Sequence, residues 1–408
     1  MPWEPVRTPV RALSVSPVTT VDASRVQFAL LAGIHFLFVL VTLGLGPVVA
    51  VFQTRWAMTG SVVMERATRF WGQLYLVNYA LGIVAGILLE LQFGLHFPGL
   101  LDVAGEVFGA PLAVETMVAF FLESTLLGLW IFGWHQLNRG VHTVVFWLVV
   151  LTGYASAFAV MVANGFLRHP VGYELSDGVA HITDTTALVL NPAAVLSLGH
   201  IVGACLLAGA FVVIGISAWH LRRQTGHDEL FRRSLRTGVV VGGVGALLAV
   251  GFGFSQFGYL GETSTNPVVG TALGFMILGG FALFLGALPM LALMPGGTLF
   301  RLPRGLRDAV YRFLTLVIPV PFVIAILGWL AREIGRQPWV VVGVLKTSDA
   351  ASAHPPTTVL VSLSVLVGLI AALAVVDWAV LARLARRGPQ EPTLGAPPEL
   401  LEFAEASR

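Results

Sequence analysis

The fold of this chain is decided by its long uncharged runs, the first of which covers residues 26–52 with the sequence VQFALLAGIHFLFVLVTLGLGPVVAVF. A helix needs roughly 20 consecutive apolar residues to cross a bilayer core about 30 Å thick. This run exceeds that length and is too long for the apolar core of a signal peptide. It therefore predicts a first membrane-spanning helix.

The rest of the chain has the same character. Of its 408 residues, 56% are hydrophobic and 11% are charged, with a mean hydropathy of +0.83, which is not typical of a soluble domain. The runs do not alternate with period two, so they favour an all-α, polytopic transmembrane helical bundle over a β-barrel. About nine spans are predicted, approximately Val26–Phe52, Trp71–Leu91, Leu112–Trp134, Val141–Gly165, Ala193–Trp219, Thr237–Phe254, Val268–Leu293, Ala309–Leu330 and Thr357–Leu381.

Arginines concentrate in alternate loops, which predicts how the bundle is oriented. Loops with many arginines are usually cytoplasmic, and here they are the first, third, fifth and seventh. The N-terminus is then outside and the C-terminus cytoplasmic. Two segments, the N-terminal arm and the eighth loop, keep arginines outside against this rule. The predicted organisation is an extracytoplasmic arm (1–25), a bundle (26–387) and a cytoplasmic, unstructured tail (388–408).

The only cysteine, Cys205, lies inside the fifth run. One cysteine excludes a disulfide, an iron–sulfur cluster and a covalently attached c-type haem within this chain.

Two histidines, His35 and His200, lie well inside apolar runs, and Met276 lies inside the seventh run. Neutral imidazole commonly binds haem iron, and a His/Met pair from two helices can hold a six-coordinate haem. The alternative is structural, with each histidine hydrogen-bonded to a neighbouring helix and Met276 filling the core.

Two carboxylates lie in the third run, Glu115 and Glu123, with Glu90 near the end of the second. Eight residues correspond to about 12 Å of helix rise and place Glu115 and Glu123 on adjoining faces. This spacing suits two stations of a proton relay. Alternatively, each carboxyl is protonated and hydrogen-bonded within the bundle, and for Glu90 interfacial solvation is an equal explanation.

Charge and indole groups concentrate in residues 329–339, WLAREIGRQPW. Arg332 and Arg336 flank Glu333, and guanidinium groups bind carboxylates such as a haem propionate through paired hydrogen bonds. Salt bridging within the segment is the alternative.

Several strings together resemble subunit I of the cytochrome bd quinol oxidases along nearly the whole membrane region. They are SRVQFAL (24–30) with HFLFV (35–39), FWG (70–72), FGAPLA (108–113) through Glu115 to AFFLES (119–124), VANG (162–165), LNP (190–192) and GRQPW (335–339).

The resemblance implies three haems: two of type b and a third of type d or b. His200 and Met276 would hold the low-spin haem b, while His35 and Glu333 would ligate the two high-spin haems, with no allocation between them. It also places Trp329 and Arg336 among the haems. Glu115 and Glu123 match carboxylates linked to haem d and proton delivery.

The implied activity is reduction of oxygen to water with electrons from quinol, in the plasma membrane of a prokaryote. A subunit II-like chain and membrane lipid are the expected partners, and no nucleic-acid partner is expected.

The sequence departs from the family pattern in two places. A short turn from Gly258 to Pro267, containing Glu262, replaces a long external loop whose Lys and Glu are implicated in quinol binding. Gly274 stands where the family has an arginine, two residues before the methionine ligand. These departures favour a bd-like paralogue with another electron donor, or quinol reacting elsewhere, for example near Glu262. A haem-free, proton-coupled transporter or assembly protein is the remaining alternative.

Overall fold

The computed structural model describes residues 19–258, 265–389 and 394–395, and this part of the chain is an all-α bundle. Nine helical spans within it are long and apolar enough to cross a membrane, so the predicted fold class is confirmed. The helices are α1 (Thr20–Thr59), α2 (Val62–His96), α3 (Pro98–Thr116), α4 (Ser124–Phe132), α5 (Arg139–Arg168), α6 (Thr185–Val189), α7 (Pro192–Arg223), α8 (Asp228–Ser255), α9 (Pro267–Ala292), α10 (Thr298–Arg301), α11 (Arg304–Leu316), α12 (Val320–Gly335), α13 (Thr347–Ala350) and α14 (Pro356–Arg387).

Eight of the nine predicted runs lie within one of these spans, and the seventh, Val268–Leu293, passes the end of its span by one residue; most helices continue beyond the predicted run. Helix α1, for example, has 40 residues, about twice the number that a bilayer core requires. An odd number of spans puts the two ends of the described bundle on opposite sides of the membrane. Which side is which stays a prediction from the arginine loops, and we call the end where α1 begins the outer end.

The third and eighth spans are interrupted helices. Helix α3 bends at Ala104, which has non-helical backbone angles, and then passes through a π-helical segment, Met117–Glu123, into α4. The eighth span breaks between Leu316 and Val320 because Pro319 cannot continue the hydrogen-bonding of α11. Both interruptions lie in spans that carry predicted site residues.

Two short antiparallel hairpins lie between spans. Strands β1 (Tyr173–Ser176) and β2 (Val179–Ile182) pair Tyr173 with Ile182, and β3 (Trp339–Val341) pairs with β4 (Leu345–Lys346). The β3–β4 hairpin follows α12 directly, and the backbone N–H of Val342 donates to Leu167 O over 2.9 Å. The end of α12 is thereby attached to the end of α5.

Helices α1 and α7 cross in very close contact, because small residues face each other. A Cβ built on Gly44 would lie 2.0 Å from the backbone oxygen of Cys205, and one built on Gly209 would meet the backbone of Gly44 at 2.3 Å. Association of membrane helices depends on such close packing, since hydrocarbon provides no hydrophobic force between helices. Cys205 is buried at this crossing and packs in the apolar core there.

Part of the predicted C-terminal tail contacts the bundle. The side chain of Leu394 is buried, and its backbone oxygen accepts a hydrogen bond from Arg69 Nη1. The carbonyl of Gly395 accepts one from His135 Nε2. At these two residues the chain differs from the expected unstructured tail, while residues 390–393 and 396–408, and residues 1–18 of the N-terminal arm, lie outside the described part.

Substituting Gly44→Ala should destabilise the bundle, because the new methyl group would meet the backbone of α7 rather than a movable side chain. Overpacking typically costs about 1–3 kcal/mol. Thermal unfolding of detergent-purified protein measures the loss, with Gly368→Ala as the matched control, since a Cβ there meets no heavy atom within 4 Å. Equal unfolding temperatures for the two variants would contradict the close crossing.

Candidate functional site: a cavity through the outer half of the bundle

One large cavity, of about 1030 Å³, is enclosed mainly by α1, α2, α3, α5, α7, α8, α9 and α12. It is at the upper end of the range of roughly 300–1,000 Å³ that is typical of small-molecule sites. The structure brings every predicted site residue to its wall: His35, Glu115, Glu123, His200, Met276, Trp329, Glu333 and Arg336. Residues from five spans that are distant in sequence therefore share one chamber.

His200 is held in a defined tautomer on α7. This helix begins at Pro192, where the side chain of Asn191 caps the backbone N–H of Ala193 over 3.0 Å. Nδ1 of His200 donates to the carbonyl oxygen of Ala249, 2.7 Å away on α8. Because a carbonyl oxygen only accepts, the proton of the neutral ring is on Nδ1. Nε2 keeps its lone pair, the arrangement usual for a metal-ligating histidine.

Met276 lies near the middle of α9, against the backbone of α12. A Cβ built on Gly328 would lie 2.5 Å from its sulfur atom, so only glycine allows the thioether to occupy this place. The contact fixes a side chain that is otherwise flexible. It brings the sulfur to the wall that also carries Trp329 and Glu333.

His35 lies on α1, with its ring against Gly86 of α2. A Cβ on Gly86 would meet His35 Cε1 at 3.1 Å. Within the described residues, the buried Nδ1 has no hydrogen bond of ordinary geometry, although the backbone of Gly82 faces the ring. A buried imidazole without a firm partner differs from the structural alternative, in which the ring would be hydrogen-bonded to a neighbouring helix.

The end of α12 carries a salt bridge at the cavity wall. Arg336 Nη2 donates to Glu333 Oε1 over 2.6 Å, and Nη1 donates to Val340 O over 2.8 Å. The pair leaves the second carboxylate oxygen of Glu333 free of this bond. Trp329, about one turn before Glu333, packs towards α1, where a Cβ on Gly33 would lie 3.8 Å from its ring.

The carboxylates form a row along α3 and the π-helical segment. Ser156 of α5 donates to Glu115 Oε1 over 3.0 Å, and a Cβ on Gly153, one turn away, would meet Glu123 Oε1 at 3.1 Å. Both carboxyls thus face α5, whereas adjoining faces were expected. A π-turn takes in one residue more than an α-turn, so eight residues here return to the same face.

Glu90 extends this row towards the outer end of the cavity. Its carboxylate lines the cavity and accepts a hydrogen bond from Thr116 over 3.2 Å. Helix α2 continues to His96, so Glu90 does not close the helix as expected. The interfacial explanation for Glu90 is accordingly weakened, because the side chain faces the interior wall.

Sequence reasoning named Arg332 but missed the polar residues on the same wall that lie around it. Arg332 donates through Nη1 to Ser197 Oγ over 2.8 Å and through Nη2 to Asn164 Oδ1 over 2.5 Å. Arg168, at the end of α5, also lines the cavity. The signal for Arg332 was an arginine near the end of an apolar run, and Asn164 was visible only as part of the string VANG. Their meeting depends on tertiary structure.

The donor set fits axial ligation of a haem better than binding of a bare metal ion. No group of three or more His, Cys, Asp or Glu residues in the described part could hold an ion. A haem iron already has four porphyrin nitrogens and needs only one or two protein ligands, typically His or Met. Single, separated ligands on the wall of a large cavity meet that requirement.

Comparisons with known proteins show the family of this chain. The family described as cytochrome bd terminal oxidase subunit I matches residues 23–265 and 262–389. The cytochrome bd ubiquinol oxidase subunit 1 of Bacillus subtilis (strain 168) is 30% identical over 407 aligned residues, which cover 81% of this chain and 86% of that protein. The cytochrome bd-II ubiquinol oxidase subunit 1 of Escherichia coli (strain K12) is 41% identical over 224 residues, 54% of this chain and 43% of that protein.

The fold is also that of a solved oxidase. The bd oxidase structure from Geobacillus thermodenitrificans superposes with a TM-score of 0.81 at 22% identity, over 91% of this chain and 99% of that chain. The matched family regions contain all of the spans described above except the first three residues of α1. This chain is therefore a multi-pass protein of the prokaryotic plasma membrane and an oxidoreductase of the respiratory chain, and it belongs to the cytochrome bd terminal oxidase subunit I family.

Proposed function

We propose that this chain is the haem-carrying subunit of a bd-type terminal oxidase that reduces oxygen to water with electrons from quinol. The observation that carries the proposal is the convergence of all eight predicted site residues on one cavity. When bound there, haem would supply the electron transfer and the oxygen chemistry that protein side chains lack. Family membership removes the haem-free transporter from consideration.

His200 and Met276 are proposed to hold a low-spin haem b. The hydrogen bond to Ala249 fixes the His200 tautomer that leaves Nε2 for iron, and Gly328 fixes the position of the Met276 sulfur. His35 and Glu333 are proposed to ligate two high-spin haems, of which one is type b and the other type d or b. Arg336 orients Glu333 through one carboxylate oxygen and leaves the other available.

Protons are proposed to reach the cavity along Glu123 and Glu115. Glu123 is only 4% exposed, and Glu115 is partly buried and hydrogen-bonded to Ser156. Because both carboxyls face α5 and line the same chamber, a proton can pass between them through a short chain of water molecules. Glu90 lies farther along the same row.

The proposed partners follow from the family and from the surface of the bundle. The two relatives are both named as subunit 1 of an oxidase, so a subunit II-like chain is expected to complete the complex. Large apolar side chains on α9 and α14, such as Phe275, Leu278 and Val361, are exposed. In a membrane such faces contact lipid or another apolar subunit.

A second candidate keeps the haems and changes the site of electron entry. Gly274 lacks the expected arginine, and only about ten residues connect the sixth and seventh spans, from Gly258 to Pro267. Residues 259–264, including Glu262, lie outside the described part. The two departures favour quinol reacting away from the usual loop, or a different donor.

Reduced-minus-oxidised spectra of the purified protein should show b-type haem, and His200→Ala or Met276→Leu should each remove the low-spin signal. A six-coordinate iron needs both axial ligands. Met290→Leu is the matched control, since Met290 packs against the apolar core formed mainly by α1, α2, α5, α7 and α8 and does not line the cavity. A spectrum without haem would overturn the proposal, and an unchanged spectrum in either ligand variant would exclude that ligand.

Glu123→Gln should slow oxygen reduction by about 100-fold, the lower end of what general acid–base groups contribute, with the haem spectrum retained. The amide keeps the shape of the side chain but cannot relay a proton. Oxygen-electrode assays of Glu123→Gln and of the control Glu106→Gln, whose exposed carboxylate pairs with His181, make the comparison. Full activity in Glu123→Gln would make the acid purely structural.

Inhibitors directed at the long external loop of the family should bind this protein weakly or not at all. This sequence lacks the contacts that they need: it has no long loop with its Lys and Glu, and it has Gly274 in place of the arginine. Steady-state oxygen uptake with a short-chain quinol, titrated with such an inhibitor, measures the affinity. Block at low inhibitor concentration would show that an intact quinol pocket exists without these residues.

A further inference from the structure

Arg332 is a cation inside the bundle whose hydrogen-bond partners are neutral. Its two bonds go to the hydroxyl of Ser197 and the amide oxygen of Asn164. Among the described residues, no carboxylate oxygen lies within ion-pair distance of its guanidinium, and the adjacent Glu333 is bonded to Arg336 instead. A buried charge without a counter-ion is costly, so this arrangement calls for an anion. The cavity that Arg332 lines is where that anion would bind.

The position of Arg332 relates it to the two proposed ligands of the low-spin haem. Ser197 lies one turn before His200 on α7, and Arg332 lies one turn after Gly328, which contacts the sulfur of Met276. Helices α7 and α12 run in opposite directions, so both steps of about 5.4 Å lead towards the outer end. The guanidinium therefore lies one turn outward of the two ligands.

Position 274 lies on the same outward side, two residues before Met276 on α9. The family pattern has an arginine there, and this chain has Gly274. A Cβ built on Gly274 meets no heavy atom within 4 Å, so nothing in the described bundle fills the place of the missing side chain. The cation lost from α9 has a counterpart on α12, the helix packed against it.

We propose that Arg332 binds a propionate carboxylate of the haem held by His200 and Met276, and so takes the place of the arginine missing at position 274. Three of its five N–H donors remain for this ligand after the bonds to Ser197 and Asn164, and a guanidinium matches a carboxylate with two parallel bonds. Arg332 is thus a positioning residue, and it also tunes the haem, since a nearby cation favours the reduced iron. This inference rests on the proposed haem assignment.

A purely structural role would make Arg332 a clamp between α12, α7 and α5. A cation introduced at position 274 distinguishes the clamp from the haem contact, because it can replace only the haem contact. An arginine introduced at 274 could meet a propionate, but it would not restore the bonds to Ser197 and Asn164. The reduction potential of the low-spin haem separates the two roles, because a clamp alone would not set it.

The test is a spectroelectrochemical titration of the purified complex carrying Arg332→Gln, Arg332→Gln with Gly274→Arg, or the control Arg312→Gln, an exposed arginine paired with Asp308. Arg332→Gln should shift the low-spin haem about tenfold towards the oxidised form, equivalent to about 59 mV for one electron. Adding Gly274→Arg should recover at least half of the shift, and Arg312→Gln should leave the potential unchanged.

Two results would overturn the inference: a potential in Arg332→Gln equal to that of Arg312→Gln, or a shift that Gly274→Arg does not repair. If Arg332→Gln loses the low-spin haem altogether, haem content is the readout; recovery of haem by Gly274→Arg supports the contact, and no recovery establishes the clamp. Absence of a low-spin haem from the unaltered protein would overturn the proposed function itself, which keeps the two failures apart.

Discussion

The cost of leaving a polar group without a partner in hydrocarbon is the constraint on which the rest of this structure depends. It requires hydrogen-bonded helices for the backbone, and it brings the ionisable side chains of the site to the cavity wall or into hydrogen bonds. The Arg336–Glu333 pair, the Ser156–Glu115 bond and the fixed tautomer of His200 are all responses to it. The polar residues of the cavity wall are therefore arranged both by the cost of burying unpaired polar groups in a membrane and by the ligands that a cofactor needs.

The same constraint explains which spans and site residues could be predicted from the sequence. His35 and His200 were identifiable because an imidazole in an uncharged run is rare enough to need a reason. The nine spans were identifiable for the converse reason, since length and composition alone define them. Met276 was not identifiable on these grounds, because methionine in a core is ordinary; only the resemblance to a family selected it.

The sequence could not show which face of a helix each side chain occupies, or which side chains from different segments are in contact. Eight residues of regular helix would put Glu115 and Glu123 on adjoining faces. No sequence pattern in Met117–Glu123 predicts the π-helical segment that changes this. The meeting of Arg332 with Ser197 and Asn164 joins three spans. The contact of Leu394 with the bundle occurs in a proline-rich stretch whose composition is typical of unstructured chain. In the last two cases the deciding interaction lies between segments that are remote in sequence.

Because of the π-helical segment, the site depends on the number of residues between Glu115 and Glu123 as well as on their chemistry. Glu115 and Glu123 face α5 together only because the helix between them contains one residue more than regular α-geometry would accommodate. One further residue in this segment would rotate everything after it by about 100° about the helix axis. Glu123 would leave the cavity while its chemistry stayed unaltered, and α4 would present a different side to α5. Loss of one residue would have a smaller effect, because seven residues of regular α-helix make about two turns and keep the two carboxyls on one face. Substitutions in this segment are therefore constrained by side-chain chemistry, but insertions are constrained by geometry, at positions that carry no functional group of their own.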